Sequence, residues 1–169
     1  MTQFEFDRPQ RFVAGTVGQP GEREFYLQAR NNVEVVSVAV EKEQVRVLAE
    51  RVDALLNHVL AATNGSAAIP AMHLGSDDLG PLEVPLESVF QVQTLSITWD
   101  SARECVTIEA TSEEEDGSLT VHLSGLQARA FAHRAVAVVS AGRKPCPICS
   151  QPLDPRGHLC PRANGYRRR

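Results

Sequence analysis

The strictest alternation in the chain lies in QVQTLSITWD, where Leu95, Ile97 and Trp99 point one way and Thr94, Ser96 and Thr98 the other. A period of two puts one face of a strand in a core and leaves the other wet. Val106, Ile108 and Ala110 repeat the pattern, and Leu119, Val121 and Leu123 repeat it again after the acidic turn from Glu113 to Gly117. Short connections between three such segments predict an antiparallel meander with one solvated face. The period then changes. GLQARAFAHRAVAVVSAG is rich in Ala and free of Pro, with Leu126, Phe131, Ala135 and Val138 on one helical stripe and Gly142 as a stop. From Glu41 to Ala62, Val45, Leu48, Val52, Leu55 and Val59 follow three-and-four spacing, which predicts a longer amphipathic helix ended by Asn64-Gly65.

Sliding the sequence by 83 residues lays one half on the other. Gln44, Arg46, Ala49, Arg51 and Ala54 fall on Gln127, Arg129, Ala132, Arg134 and Ala137, and Leu48, Val52 and Leu55 fall on Phe131, Ala135 and Val138. The strands agree as well. Val36, Val38 and Val40 meet Leu119, Val121 and Leu123; Phe25 and Leu27 meet Ile108 and Ala110; Phe12 and Ala14 meet Leu95 and Ile97. The expected fold is therefore α+β: two β-β-β-α repeats, about 4–62 and 89–141, with antiparallel sheet and pseudo-two-fold symmetry. Shared Ala and Arg bias in the two helices is the competing explanation of the match.

The connector 63–88 carries Gly65, Pro70, Gly75, Gly80, Pro81 and Pro85, spaced so that no regular element survives. So long a connection is either a functional segment or an extended cover. The alternate apolar residues Leu79, Leu82, Val84 and Leu86 favour the cover, packed across the sheet.

Charge divides the chain. Residues 1–141 hold 20 acidic and 10 basic side chains, whereas 142–169 hold one and seven, so a body at −10 carries a tail at +6 within the overall −4. The tail, KPCPICSQPLDPRGHLCPRANGYRRR, opens with Cys146-x-x-Cys149, a spacing that lets two thiolates reach one tetrahedral ion, and continues to His158-x-Cys160. Asp154-Pro-Arg-Gly supplies the reversal between the pairs. Three thiolates and an imidazole with no vacant position predict a closed, structural Zn²⁺ knuckle, in which His158 is the ligand with alternatives, Asp154 or water. Prolines 145, 147 and 152 argue against a thioredoxin-type redox pair, which sits at a helix start. No apolar run reaches the ~20 residues needed to span a bilayer, and MTQFEFDRPQ lacks the basic and apolar parts of a signal peptide. The expected setting is the cytoplasm, with no membrane.

The residues CPICSQPLDPRGHLCPRANGY, with FYLQAR and QARAFAHRA, resemble an actinobacterial family of conserved repeat proteins of unknown function. The resemblance covers nearly the whole chain, and Cys146, Cys149, His158 and Cys160 match its C-terminal motif. It implies a cytoplasmic actinobacterial protein whose gene lies near those for a phosphoinositide-kinase-like protein, a histidine-phosphatase-like protein and the mycothiol ligase. It carries over no activity.

Nucleotide-cradling and hydrolase-elbow motifs (GxxxxGK[ST], GxGxxG and GxSxG) are absent from the sequence. His58 and His133 fall on the helices, His122 on a strand and His73 in the connector, each read as surface or packing; Cys105 reads as an ordinary reduced thiol, and Glu113–Asp116 as a solvated hairpin tip. Arg46, Arg51, Arg129 and Arg134, paired by the repeat, are candidates for an anion or partner site against the plainer reading of solvated faces and ion pairs with Glu43 and Glu50. Arg162, Arg167, Arg168 and Arg169 are further candidate contacts. Three functions follow. The favoured one is a non-catalytic adaptor with a protein partner; the others are a nucleic-acid binder using the basic tail, and an enzyme or small-molecule receptor with its site between the repeats.

Overall fold

The computed structural model describes residues 2–19, 21–75 and 78–141. Eight strands and two helices follow one another in these residues: β1 (Thr2–Asp7), β2 (Arg11–Val17), β3 (Glu24–Arg30), β4 (Val35–Val40), α1 (Lys42–Ala62), β5 (Ser88–Gln91), β6 (Thr94–Asp100), β7 (Cys105–Ser112), β8 (Gly117–Ser124) and α2 (Gly125–Ser140). The fold is mixed α+β, with two four-stranded sheets ordered β1-β8-β7-β6 and β2-β3-β4-β5.

Both expected meanders form. Strands β2, β3 and β4 pair antiparallel, as do β6, β7 and β8. The sheets nevertheless are not wholly antiparallel, because β1 pairs parallel with β8 and β5 pairs parallel with β4. Each half of the chain thus lends its first strand to the sheet built by the other half. Parallel partners lie far apart in sequence, so no local turn signal announces them. Phe6 on β1 and Phe90 on β5 are buried in the core. Phe90 lies against Gly117, where an added Cβ would come within 2.4 Å of the Phe90 ring.

Each helix starts on a glutamine at the third position. The Gln44 side chain accepts from the Glu41 N–H, while Gln127 and Ser124 form a reciprocal box in which Ser124 Oγ accepts the Gln127 N–H at 3.1 Å and Gln127 Oε1 accepts the Ser124 N–H at 3.0 Å. Helix α1 ends as expected: Asn64 and Gly65 take positive φ, and the Gly65 N–H returns to the Leu60 carbonyl at 2.9 Å.

The core joins both helices to the inner faces of both sheets. Two stripe assignments shift. In α1 it is Leu56, not Leu55, that is fully buried, because Val45, Leu48, Val52, Leu56 and Val59 follow the 3.6-residue repeat more closely. In α2, Leu126 is half exposed, and Ala128, Phe131, Ala132 and Ala135 fill the interior instead. The small alanines let α2 lie close to its neighbours, and Phe131 stacks on Phe12 of β2 with ring centroids 4.8 Å apart.

The connector does cross a sheet, but not through all four expected residues. Ile69 and Leu82 are buried and Leu86 is half-buried, whereas Leu79 and Val84 are exposed. Polar bonds rather than alternating apolar contacts hold most of it. Sheet β1-β8-β7-β6 keeps Ser96, Thr98 and Glu109 exposed on its outer face, as the alternation predicts; on the other sheet the connector covers Gln28 and Ser37, which are buried.

Candidate functional site

Helix α2 places Arg134 beside the edge of β2, where it is 6% exposed. Its Nε donates to the Ala14 carbonyl at 2.8 Å, and its Nη1 donates to the carbonyls of Asp78 at 2.7 Å and Gly80 at 2.8 Å. Arg11, at the start of β2, meets the Asp78 carboxylate with two bonds and also donates to the carbonyls of Pro81 and Gly80. Beyond this clamp, Leu82 rests on Gly15, and Gln28 bonds the Glu83 backbone in both directions, accepting its N–H at 2.8 Å and donating to its carbonyl at 3.1 Å. The connector is therefore lashed around the β2 edge and over the outer face of its sheet. Arg11 holds the Asp78 carboxyl below its ordinary range, against the opposing effect of burial. Burial, and then the like charge of Arg11, lowers the Arg134 pKa, with Asp78 opposing.

A second buried arginine ties the connector's beginning. Arg129, 5% exposed, donates from Nη1 to Asp53 at 2.9 Å, from Nη2 to Asn57 at 2.6 Å and from Nε to the Pro70 carbonyl at 2.9 Å. Helix α1, helix α2 and the connector meet at this one guanidinium. Nearby, His73 of the connector stacks on His133 of α2 with centroids 4.3 Å apart, above a hollow of about 150 Å³ that Arg11, Asp78 and Arg134 also line.

The four paired arginines are not brought to a common partner. Arg129 and Arg134 spend their donors on the protein's own connector, and Arg46 forms exposed ion pairs with Glu43 and Glu50. Arg51 is exposed and makes no hydrogen bond or ion pair among the described residues. It lines a groove of about 530 Å³ between α1 and β6 with Val47, Leu48, Leu95 and Ile97. Strand β6 is the edge of its sheet, so its outer backbone groups face this side.

Two further clusters are invisible to local pattern. Thr107 Oγ1 lies 2.9 Å from His122 Nδ1, and His122 Nε2 lies 3.0 Å from Glu5 Oε1. This has the order of a carboxylate–imidazole–hydroxyl relay, but Glu5, Thr107 and His122 line none of the hollows at Arg23, Arg51 and Arg134. Only the parallel pairing of β1 with β8 brings Glu5 to it. A hollow of about 590 Å³ is lined by Arg23, Glu24, Tyr26, Lys42, Ser88 and Gln91, and there the Tyr26 hydroxyl donates to Glu24 at 2.7 Å, which raises its pKa. The acidic hairpin is partly tied down: Gln93 accepts the N–H groups of Glu113 and Glu114, and Glu115 accepts that of Gln91. Cys105 is buried and free.

Cys146, Cys149, His158 and Cys160, and with them Arg162, Arg167, Arg168 and Arg169, lie outside the described residues. Among the described residues, no group of three or more His, Cys, Asp or Glu is placed to hold a metal, and no helix is long and apolar enough to cross a membrane.

Two mixed sheets with a connector strapped on by buried arginines define an α+β protein in which the strongest polar chemistry grips its own backbone. The chain belongs to the family described as protein of unknown function (DUF3090), matched over residues 4–160. That span includes the cysteines and histidine of the tail. No curated protein and no solved structure matches the chain.

Proposed function

We propose that the protein is a non-catalytic protein-interaction module, acting in the cytoplasm, that receives its partner in the groove between α1 and β6. The observation that carries this reading is the groove itself: Leu95 and Ile97 are only half-buried beside an open sheet edge, with Arg51 at the rim. A sheet edge flanked by apolar side chains suits the addition of an extended chain, which draws affinity from the backbone and selectivity from side-chain pockets.

The reading includes two further parts. Cys146, Cys149, His158 and Cys160 hold one structural Zn²⁺, a proposal supported by the ligand types and the two-pair spacing. The halves of the body descend from a duplication with pseudo-two-fold symmetry, supported by the common offset of 83 and by the same order of three antiparallel strands and a helix in each. The basic residues Arg162, Arg167, Arg168 and Arg169 extend the contact surface.

The test is purification of the untagged protein from its own cells, comparing wild type with Ile97→Glu and with Arg167, Arg168 and Arg169 neutralised together. A protein that accompanies the wild type and is lost from Ile97→Glu supports the groove. Retention of every partner by Ile97→Glu, or submicromolar binding of a defined nucleic acid lost on neutralising the tail, overturns the reading. Metal analysis tests the zinc separately: close to one zinc per chain is expected, and full zinc in Cys146→Ser would refute the site.

A further inference from the structure

Among the described residues, β2 with α2 and β6 with α1 each frame a groove, and the connector lies across the first, which keeps a hollow of about 150 Å³. Helix α2 and β2 enclose the connector residues Asp78–Leu82, gripped by Arg134. Helix α1 and β6 form the other, and at the offset of 83 Leu48, Leu95 and Arg51 of its lining correspond to Phe131, Phe12 and Arg134 of the first, while Ile97 corresponds to Ala14, whose carbonyl accepts from Arg134. Burial differs at three of the four pairs, Leu48 and Phe131 being buried alike. Phe12, Ala14 and Arg134 are all under 9% exposed, whereas Leu95 and Ile97 are half-buried and Arg51 is exposed.

Resting on the interaction reading above, we propose that the open groove binds an extended, proline-containing acidic peptide of a partner protein, of the type acidic–apolar–Gly–Pro–apolar that Arg11 and Arg134 hold across the first groove as Asp78-Leu79-Gly80-Pro81-Leu82. Arg51 takes the peptide's carboxylate and backbone carbonyls, as Arg11 and Arg134 take those of the connector. Charge selects this occupant. The groove's other lining charge, Glu43, is held by Arg46, which leaves Arg51 as the charge that meets a ligand. The chain's own residues 142–169, with seven basic side chains and one acidic, have the wrong sign. A second copy's connector would first have to leave the clamp of Arg11 and Arg134.

The two grooves also differ in ways that shape the ligand. Arg11 corresponds to Thr94, so one guanidinium does the gripping, and Gly15 corresponds to Thr98, which closes the hole that admits Leu82. An apolar ligand residue therefore finds no counterpart of the Gly15 hole on the outer face and meets the half-buried Leu95 and Ile97 on the other side of the strand.

A fluorescent peptide with the sequence of residues 78–86 is titrated into the full chain, and backbone amide exchange is followed in parallel. Saturable binding is expected, weakened about tenfold or more by Arg51→Glu and by replacing the peptide's aspartate with lysine, since a hydrogen bond to a charged group carries about that factor. Arg51 is exposed, so Arg51→Glu is expected to keep the fold, checked by circular dichroism. New protection belongs on Thr94–Asp100. Protection on Arg11–Val17 instead, binding indifferent to Arg51→Glu, no saturation by about 1 mM, or self-association abolished by Arg51→Glu each overturns the proposal. If the peptide fails while a natural partner is still lost from Ile97→Glu, the peptide class falls and the interaction reading stands.

Discussion

Arg11 meets Asp78 across 67 residues of sequence through paired bonds, Nε to Oδ2 at 2.7 Å and Nη2 to Oδ1 at 3.0 Å. The contact joins the first residue of an edge strand to a connector that lacks regular structure around it. Planar guanidinium and carboxylate groups match at two points, so the pair sets orientation as well as distance. Arg134 of α2 holds the same stretch by its backbone carbonyls, sharing that of Gly80 with Arg11.

The pair makes the strap acid-sensitive. The Asp78 pKa is lowered in the folded protein, so its contribution is complete above its ordinary value of 3.8 and is lost as pH falls below that value toward the folded one. Amide exchange or proteolysis in the connector should accelerate over that window while α1 and α2 stay protected. Asp78→Asn should loosen the connector at neutral pH and remove the acid dependence. Equal acid dependence in the variant would show that another group governs it.

Arg134→Ala should be among the most damaging single changes on α2. It strips donors from the carbonyls of Ala14, Asp78 and Gly80 while opening a hole beside Phe131, which together cost roughly 2–4 kcal/mol. The exposed Arg46→Ala, whose ion pairs lie in solvent, should leave stability almost unchanged. Urea unfolding of both variants makes the comparison, and similar losses would contradict the buried role.

Much of this was legible from periodicity, and the remainder was hidden for identifiable reasons. Alternation at Leu95, Ile97 and Trp99 and at Val36, Val38 and Val40 located strands, and Asn64-Gly65 located the end of α1. Strand β5 carries no periodic signal because it is four residues long with one buried side chain, Phe90, and its partner is parallel and distant. The arginines misled for a different reason. A charged residue on a helix reads as solvated, yet Arg129 and Arg134 are buried because backbone carbonyls and Asp53 wait for them in tertiary structure. Nothing local encodes those acceptors. The corresponding Arg46 and Arg51 occupy the same helical positions and remain exposed.

Gly15 reports on how tightly Leu82 seats. A Cβ at Gly15 would stand 2.4 Å from Leu82 Cδ2, so Gly15→Ala should destabilise by about 1–3 kcal/mol through overpacking. Leu82→Ala should also destabilise, by emptying the same place. Combined, the two should cost clearly less than their sum, because the shortened side chain makes room for the new methyl group. Additive losses in a denaturation cycle would mean that the connector does not rest on Gly15.

The exchange of first strands makes the sharpest prediction about folding. Strand β1 finds its partner in β8, and β5 finds its partner in β4, so neither half of the chain contains a complete sheet. A fragment of residues 1–65 would leave β1 without a ladder and one side of β4 unpaired, and it would expose the face of α1 that packs on α2. Residues 66–141 would lack β1 and present β5 with nothing to join. Each fragment alone should therefore show little native secondary structure by circular dichroism, while mixing them should restore the spectrum and bury Trp99 again to its half-exposed environment, with a concentration dependence that a single chain lacks. Residues 1–141, which keep both sheets whole, should fold without the segment that follows. A stably folded 1–65 fragment would show that the shared sheets are dispensable to it, and that strand exchange does not make the two halves cooperative.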